Sequence, residues 1–338
     1  MRHWLNISAL LVAAGALGLI VVRNLPHEDR DTLINVSYDP TRELYQRLDA
    51  AFVSDYAART GRHLHIVQSH GASARQSRAV IAGQAADVVT LGLFADVDAL
   101  RKHGLIADGW PERLPDHSQP YTSTIVFVVR EHNPKQIHDW PDLIRPGVEI
   151  ITPDPKTSGN GKLSALCAWG AVVTRGGTEE DARRYLLSFY RHVRVLDAGA
   201  RGAAVTFAFA ELGDVLLTWE NEAIREVADS KGALQIVYPP VSILAEPYVA
   251  WVDANVARRG TLREARSYLE FLFSDQAQQI IEEMGYRPVK ASAGHGGAAL
   301  PPIALFPITA IASGWDDAEQ RFFAENGLID VIVKEARP

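Results

Sequence analysis

Between residues 33 and 252 the chain alternates short apolar runs with longer segments of helical period, and this alternation constrains the fold more than any other feature. Candidate strands fall at 33–37, 64–68, 87–91, 124–129, 148–151, 193–196, 214–218, 234–238 and 248–252. Leu44, Leu48, Phe52 and Tyr56 recur every four residues, the stripe of an amphipathic helix. That helix should start at Asp39-Pro40, an N-cap acid followed by proline, and end near Gly61. Tyr268, Phe271 and Leu272 form a similar stripe ahead of a helix over 276–284. Strands separated by helices build open α/β sheets with helices on both faces. At 338 residues the chain outgrows one core, so two lobes are expected. The tail differs: 291–302 is rich in Ala, Gly and Pro and reads as a loop, and 315–332 reads as one helix docking on the body through Phe322 and Phe323.

The N-terminus opens with Arg2, an uncharged run reaching Val22, and Arg23, which is the pattern of an export signal. The run is also long enough to cross a bilayer at ~20 residues, so a cleaved signal and a retained inner-membrane anchor both remain open. The formal charge is −7; residues 1–30 carry three Arg against Glu28 and Asp29, which leaves −8 on the body. Such a body does not suit nucleic acid, and it obliges any anion to be caught by local groups. Cys167 is the single cysteine, so no internal disulfide forms; in its apolar stretch it reads as a small core residue. No metal site and no cofactor are expected.

Ligands of open α/β sheets bind where strands end and helices begin. Four such turns stand out: Ser69-His70-Gly71-Ala72-Ser73, Pro155-Lys156-Thr157-Ser158-Gly159-Asn160-Gly161, Asp197-Ala198-Gly199-Ala200-Arg201-Gly202 and Trp219-Glu220-Asn221-Glu222. Three place small residues at a helix start, with Ser73 expected to cap the helix running to Ile81. First-turn N–H groups have no partner within the helix and point, with the helix dipole, at an incoming anion. Amides and hydroxyls would then hold a tetrahedral anion with few formal charges.

The wording of these turns resembles the periplasmic sulfate-binding proteins of sulfate and thiosulfate ABC importers. The shared phrases include Ser37-Tyr38-Asp39-Pro40-Thr41-Arg42-Glu43-Leu44-Tyr45, Ser69-His70-Gly71, Pro120-Tyr121-Thr122-Ser123-Thr124, Gly199-Ala200-Arg201-Gly202, Gly213-Asp214-Val215-Leu216-Leu217-Thr218-Trp219-Glu220-Asn221-Glu222 and Tyr286-Arg287-Pro288. They run in family order from about residue 33 to 290.

The resemblance implies a two-lobed periplasmic-binding-protein fold of type II, each lobe an open mixed sheet flanked by helices, with the ligand cleft between them. Residues 1–30 would be signal or anchor, 31–120 with 245–290 one lobe, 121–244 the other, and 291–338 a loop and C-terminal helix. Crossovers are expected near 121–124 and 243–247. Carried over by position, the ligand contacts are Ser73 (N–H), Ser158 (hydroxyl), Gly159 and Asn160 (N–H), Ala200 (N–H) and Trp219 (indole N–H). Asp39, His70 and Arg201 would stand behind them, holding the binding peptides through hydrogen bonds. The sequence departs from the family where Ala72, Ala74 and Asn160 replace glycines; Ala at a position needing positive φ would be strained.

The implied function is capture of sulfate, with thiosulfate an alternative, and delivery to ABC importer permease subunits in the inner membrane by a periplasmic monomer. An anchored sensor of the same fold, or a binder of another tetrahedral oxyanion such as molybdate, is the competing reading. No catalytic residue is expected: adjacent Ser69 and His70 do not make a nucleophile–base pair, and Cys167 lies inside an apolar helix.

Overall fold

The computed structural model describes residues 31–290 and 300–337. The N-terminal segment read as signal or anchor, and most of the Ala/Gly-rich loop, lie outside them. Among the described residues no helix is long and apolar enough to cross a membrane.

Two mixed sheets organise the chain. In the first, β1 (Thr32–Tyr38) pairs parallel with β2 (His65–Gly71) and with β3 (Val88–Leu91), and β11 (Tyr248–Trp251) closes the β3 edge antiparallel. The second has the order β7-β6-β8-β5-β9, built from β5 (Ile125–Arg130), β6 (Ile150–Pro153), β7 (Val193–Asp197), β8 (Val215–Trp219) and β9 (Leu234–Val237). There β6 runs parallel to β7 and β8, and β5 antiparallel to β8 and β9.

Both sheets are covered on both faces, as the near-continuous apolar strands require. In β5, Ile125, Phe127 and Val129 join one cluster with Trp140, Leu166 and Phe189, while Val126 and Val128 join another with Ala203, Phe207 and Leu216. That split is the two-residue alternation of a strand. In the first sheet Leu33 faces the cluster holding Leu44, Leu48, Phe52 and Tyr56, and Val36 faces Val89, Val97 and Leu100. The helix carrying the four-residue stripe is Arg42–Thr60, stopped by Gly61 at φ 70, where a side chain would be strained. Its entry differs from the expected Asp39 cap: Asp39–Thr41 is a separate 3₁₀ turn capped by Tyr38, because Pro40 suits the first turn but breaks the ladder into the longer helix.

Two connections tie the sheets together. Ser123 and Ala245 exchange both backbone hydrogen bonds at 2.9 Å, and the Thr124 hydroxyl donates to the Ile243 carbonyl at 2.8 Å. Beside them β4 (Tyr121–Thr122) pairs with β12 (Arg287–Pro288). The strand β10 (Val241–Ile243) pairs with β13 (Ala304–Phe306), which returns the tail to the second sheet. Gly170 makes room for that return, since a Cβ there would run into the Phe306 ring.

The tail does dock through Phe322 and Phe323, but it is not one helix. Trp315–Ala318 and a π-turn at Glu319–Phe323 end at Ala324, whose ψ of 162° breaks the path, and a new helix, Leu328–Ala336, begins after Gly327. Packing decides this: Phe322 meets the Trp169 ring at 5.2 Å, and Ile329 and Ile332 are buried in the same cluster.

Candidate functional site

Four strand-to-helix turns converge where the two sheets face each other. They start the helices Ser73–Ile81, Gly159–Val173, Ala200–Ala208 and Glu220–Asp229. A Cβ added at Gly159 would meet Ser73 Cβ at 3.5 Å, and one at Gly199 would meet Asp39 Oδ2 at 3.3 Å and Ala72 Cβ at 3.5 Å. Elements from opposite sheets therefore touch here almost backbone to backbone. A small cavity remains between them, about 10 Å³, lined by Tyr38, Asp39, Pro40, Ala72, Ser73, Ser158, Gly159, Asn160, Ala200 and Trp219. This is the scale of one water-sized sphere.

All six residues expected to touch a ligand line this cavity. Ser73 does not cap its helix as expected; Ala72 holds the N-cap position, and Ser73 is the first helical residue. Its hydroxyl is already engaged, donating to Asp96 Oδ2 at 2.5 Å and accepting from Gly92 N–H at 3.1 Å, so its backbone N–H is what it offers the cavity. Ser158 is the N-cap of its helix, yet its hydroxyl makes no capping bond. Asn160 turns its side chain away, donating to the Leu217 carbonyl at 3.2 Å. The first intrahelical bonds come from the N–H groups of Gln76, Lys162 and Ala203, which leaves the preceding amides of each turn without helical partners. The Trp219 ring is buried against Tyr38, centroids 5.3 Å apart, and no described residue accepts from its indole N–H. Gly161 is needed beside this turn, because a Cβ would overlap the Pro153 carbonyl.

Charge placement follows the same logic. The Ser73, Gly159 and Ala200 helices carry no acid in their first turn, whereas those starting at Glu179, Glu220, Asp253, Leu262 and Asp275 each carry at least one. An acid there usually stabilises a helix by about 0.3–1 kcal/mol; forgoing it leaves three positive helix ends aimed at one cavity. The substitutions relative to glycine cost nothing in backbone terms. Ala72 sits at φ −60, and neither Ala74 nor Asn160 has positive φ.

Of the three residues placed behind the contacts, Asp39 lines the cavity itself, while His70 and Arg201 do not. None holds a binding peptide by a side-chain hydrogen bond. Arg201 is drawn instead to carboxylates, Glu43 by two bonds of 3.1 and 2.8 Å and Glu222 with Nε at 3.3 Å, because paired charges outcompete neutral peptide acceptors. His70 Nε2 is buried and unpaired; burial, with Arg42 and Arg201 nearby, pulls its pKa down to about 4, so the ring is neutral. Asp39 has only Arg42 at 3.8 Å, and burial raises its pKa above the usual carboxylate value. Sequence reasoning missed Glu43, whose pairing with Arg201 spans the two sheets, and Asp96, which occupies the Ser73 hydroxyl. Both act across more than twenty residues of chain, which no local pattern records.

The alternative nucleophiles are disposed otherwise. Ser69 Oγ accepts from Gln76 and Gln84 at 3.1 and 3.0 Å. The Cys167 thiol is buried beside Ser242, and burial pushes it up to about 12.

Two mixed sheets with a small cavity lined by helix starts between them are the architecture of a solute-binding protein of the periplasmic-binding-protein fold. The chain belongs to the bacterial extracellular solute-binding protein family, whose model matches residues 34–287. It is 47% identical to the sulfate-binding protein of Escherichia coli K12 over 305 residues, covering 89% of this chain and 93% of that one. It is 40% identical to the thiosulfate-binding protein of Pseudomonas aeruginosa, covering 96% and 97% respectively. Among solved structures, the sulfate-binding protein SubI from Mycobacterium tuberculosis H37Rv superposes with a TM-score of 0.77 at 30% identity, over 86% of this chain and 99% of that one.

Proposed function

We propose that this protein captures one dehydrated sulfate ion between its lobes and delivers it to an ABC importer in the inner membrane. One observation carries the reading: three helix starts without first-turn acids, a free serine hydroxyl and a free indole N–H share one small cavity. The names of the relatives point to the same ligand. In this reading Ser73 donates from the lobe formed by 31–120 and 245–290, and Ser158, Gly159, Asn160, Ala200 and Trp219 donate from the lobe formed by 121–244. Each helix end supplies about half a positive charge, which suits a doubly charged anion without a salt bridge.

Closure follows from where the donors sit. With donors on both lobes, the ion gains its full set of bonds only when the cleft is shut, so binding shifts the population toward the closed form. The Ser123–Ala245 pair is the natural pivot, and Arg201–Glu43, which joins one element of each lobe, is the contact expected to part as the cleft opens. The closed form is then what the permease subunits recognise. We place the working protein in the periplasm as a monomer with no catalytic role.

Titration calorimetry of sulfate-free protein with sulfate, thiosulfate, molybdate and phosphate tests this. A one-to-one sulfate isotherm with no phosphate heat supports it; no sulfate binding by folded protein overturns it. Protonated phosphate brings a hydrogen that a donor-lined site leaves unmet, at ~1–3 kcal/mol. Thiosulfate, the ligand named for the Pseudomonas relative, is the second reading, because it too carries no proton. The larger of the two affinities decides between them.

A further inference from the structure

The segment after residue 300 lies beyond the family match at 34–287, yet it reaches both sides of the anion cavity. On the side of the second sheet it is fastened to the Ser158 turn. Glu319 takes the Lys162 ammonium at 2.5 Å, Asp330 takes that of Lys156 at 2.5 Å, and β13 pairs with β10. The two lysines flank Ser158, Gly159 and Asn160, so the tail moves with those donors.

The same segment also touches the side of the first sheet. Its short helix Trp315–Ala318 packs against the helix Phe94–Lys102, which lies on the first sheet through Val97 and Leu100. Lys102 donates to Asp316 Oδ1 at 2.6 Å, with Asp98 at 3.5 Å. Trp315 shares an apolar cluster with Leu93, and Phe94 and Ala95 pack against that cluster.

The placement of this contact matters. The Ala200 helix covers the face of the second sheet that shows Val126 and Val128, and from there Arg201 reaches Glu43. The tail covers the opposite face, with Ile125, Phe127 and Val129. Ion pairs between the two sheets therefore flank the second sheet on both faces, with the anion turns between them. One such pair leaves an axis about which the lobes can rock; a pair on each face resists it.

We propose that the tail is a strap, carried by the lobe of 121–244 and fastened to the other lobe through Asp316 and Lys102 when the cleft shuts. It rests on the capture reading above. Neither residue lines the anion cavity, so both are positioning residues. Their side chains are 70% and 47% exposed, and exposed ion pairs are weak, so the strap acts mildly and on release. The pair forms after the ion has entered and parts before it leaves.

The test is stopped-flow binding and release of sulfate by the full chain. Gln46→Cys and Lys231→Cys, one exposed position on each lobe, carry a dye pair that reads closure; Cys167 is buried and stays unlabelled. Asp316→Asn should speed release about twofold, and Asp316→Lys, which sets like charges face to face, about fivefold, with the entry rate unchanged. Sodium chloride raised from ~0.01 to ~1 M should erase both differences, because an exposed pair is screened. Damage to tail packing would instead persist in salt and lower the melting temperature of the sulfate-free variants. Closure with parental release in both variants, or faster release that ignores salt, overturns the strap and leaves capture standing. No closure with sulfate or thiosulfate overturns the capture reading, and the strap with it.

Discussion

The two flanks of the Ala200 helix draw on opposite halves of the hydrogen-bond inventory. On one, the small cavity is walled mainly by donors: backbone amides, the Ser158 hydroxyl and the Trp219 indole, with Asp39 the one acid beside them. On the other stands an acceptor without a donor, Glu226, 7% exposed, with both carboxyl oxygens buried and unpartnered beside arginines already paired. The contrast shows how the chain handles buried polarity. Peptide dipoles at a cleft stay wet while the lobes are apart and cost little until the ligand arrives. A buried carboxyl is paid for in every molecule at all times.

The contrast breaks most sharply if its donors are removed. Ser158→Ala and Trp219→Phe are each expected to weaken sulfate binding about tenfold, and together about a hundredfold, or ~2.8 kcal/mol, the additive result expected of donors to different oxygens in the proposed site. Circular dichroism should show both variants folded. Full affinity in the double variant would remove these donors from the site.

The buried acceptor predicts a stability effect. The folded-state pKa of Glu226 lies above its unfolded value of 4.5, so this group favours the fold fully only below pH 4.5, and the contribution is lost as pH rises to about 8. Glu226→Gln should therefore stabilise the empty protein by as much as ~4 kcal/mol at pH 8.5, and by nothing near pH 4. Denaturant melts at the two pH values read this directly. Equal melts for variant and parent at pH 8.5 would mean that the carboxyl finds a partner in solution.

These differences in chemistry were unevenly legible in the sequence. Strands such as β5 showed themselves because both faces are apolar, and the four turns that line the small cavity were picked out by small residues at a helix start together with the wording they share with the family. The phrase Tyr38-Asp39-Pro40 marked a wall of the cavity, although Asp39 turned out to border it rather than stand behind it. What stayed hidden depends on tertiary pairing. Arg201 and Glu43 are 158 residues apart. The break at Ala324–Gly327 is masked by Phe322, Phe323, Ile329 and Ile332, whose apolar character continues through it. Nor does any pattern reveal that Glu226 is unpaired, since that follows from Arg225 and Arg201 pointing at Glu222.

A milder intervention restores to one anion turn the acid that its helix lacks. Arg75 is the exposed third residue of the Ser73 helix, where glutamate ordinarily stabilises a helix start. Arg75→Glu should raise stability by a few tenths of a kcal/mol and weaken sulfate three- to fivefold, about 0.6–1 kcal/mol, by replacing a cation and competing for the same amides. If affinity holds while stability rises, the Ser73 turn contributes little field to the cavity.

The smallest expected effect concerns the acid in the donor wall. An ionised Asp39 beside a doubly charged anion would repel it, and burial already raises its pKa toward the neutral form. Sulfate should raise it further, which makes binding slightly tighter as pH falls through the carboxylate range. Asp39→Asn keeps the shape and removes the charge, so it should tighten sulfate about twofold, ~0.4 kcal/mol, and flatten that pH dependence. A loss of tenfold or more would show the carboxylate to be a needed acceptor that orders the Gly199 turn. The donor cavity would then depend on one half-buried acid.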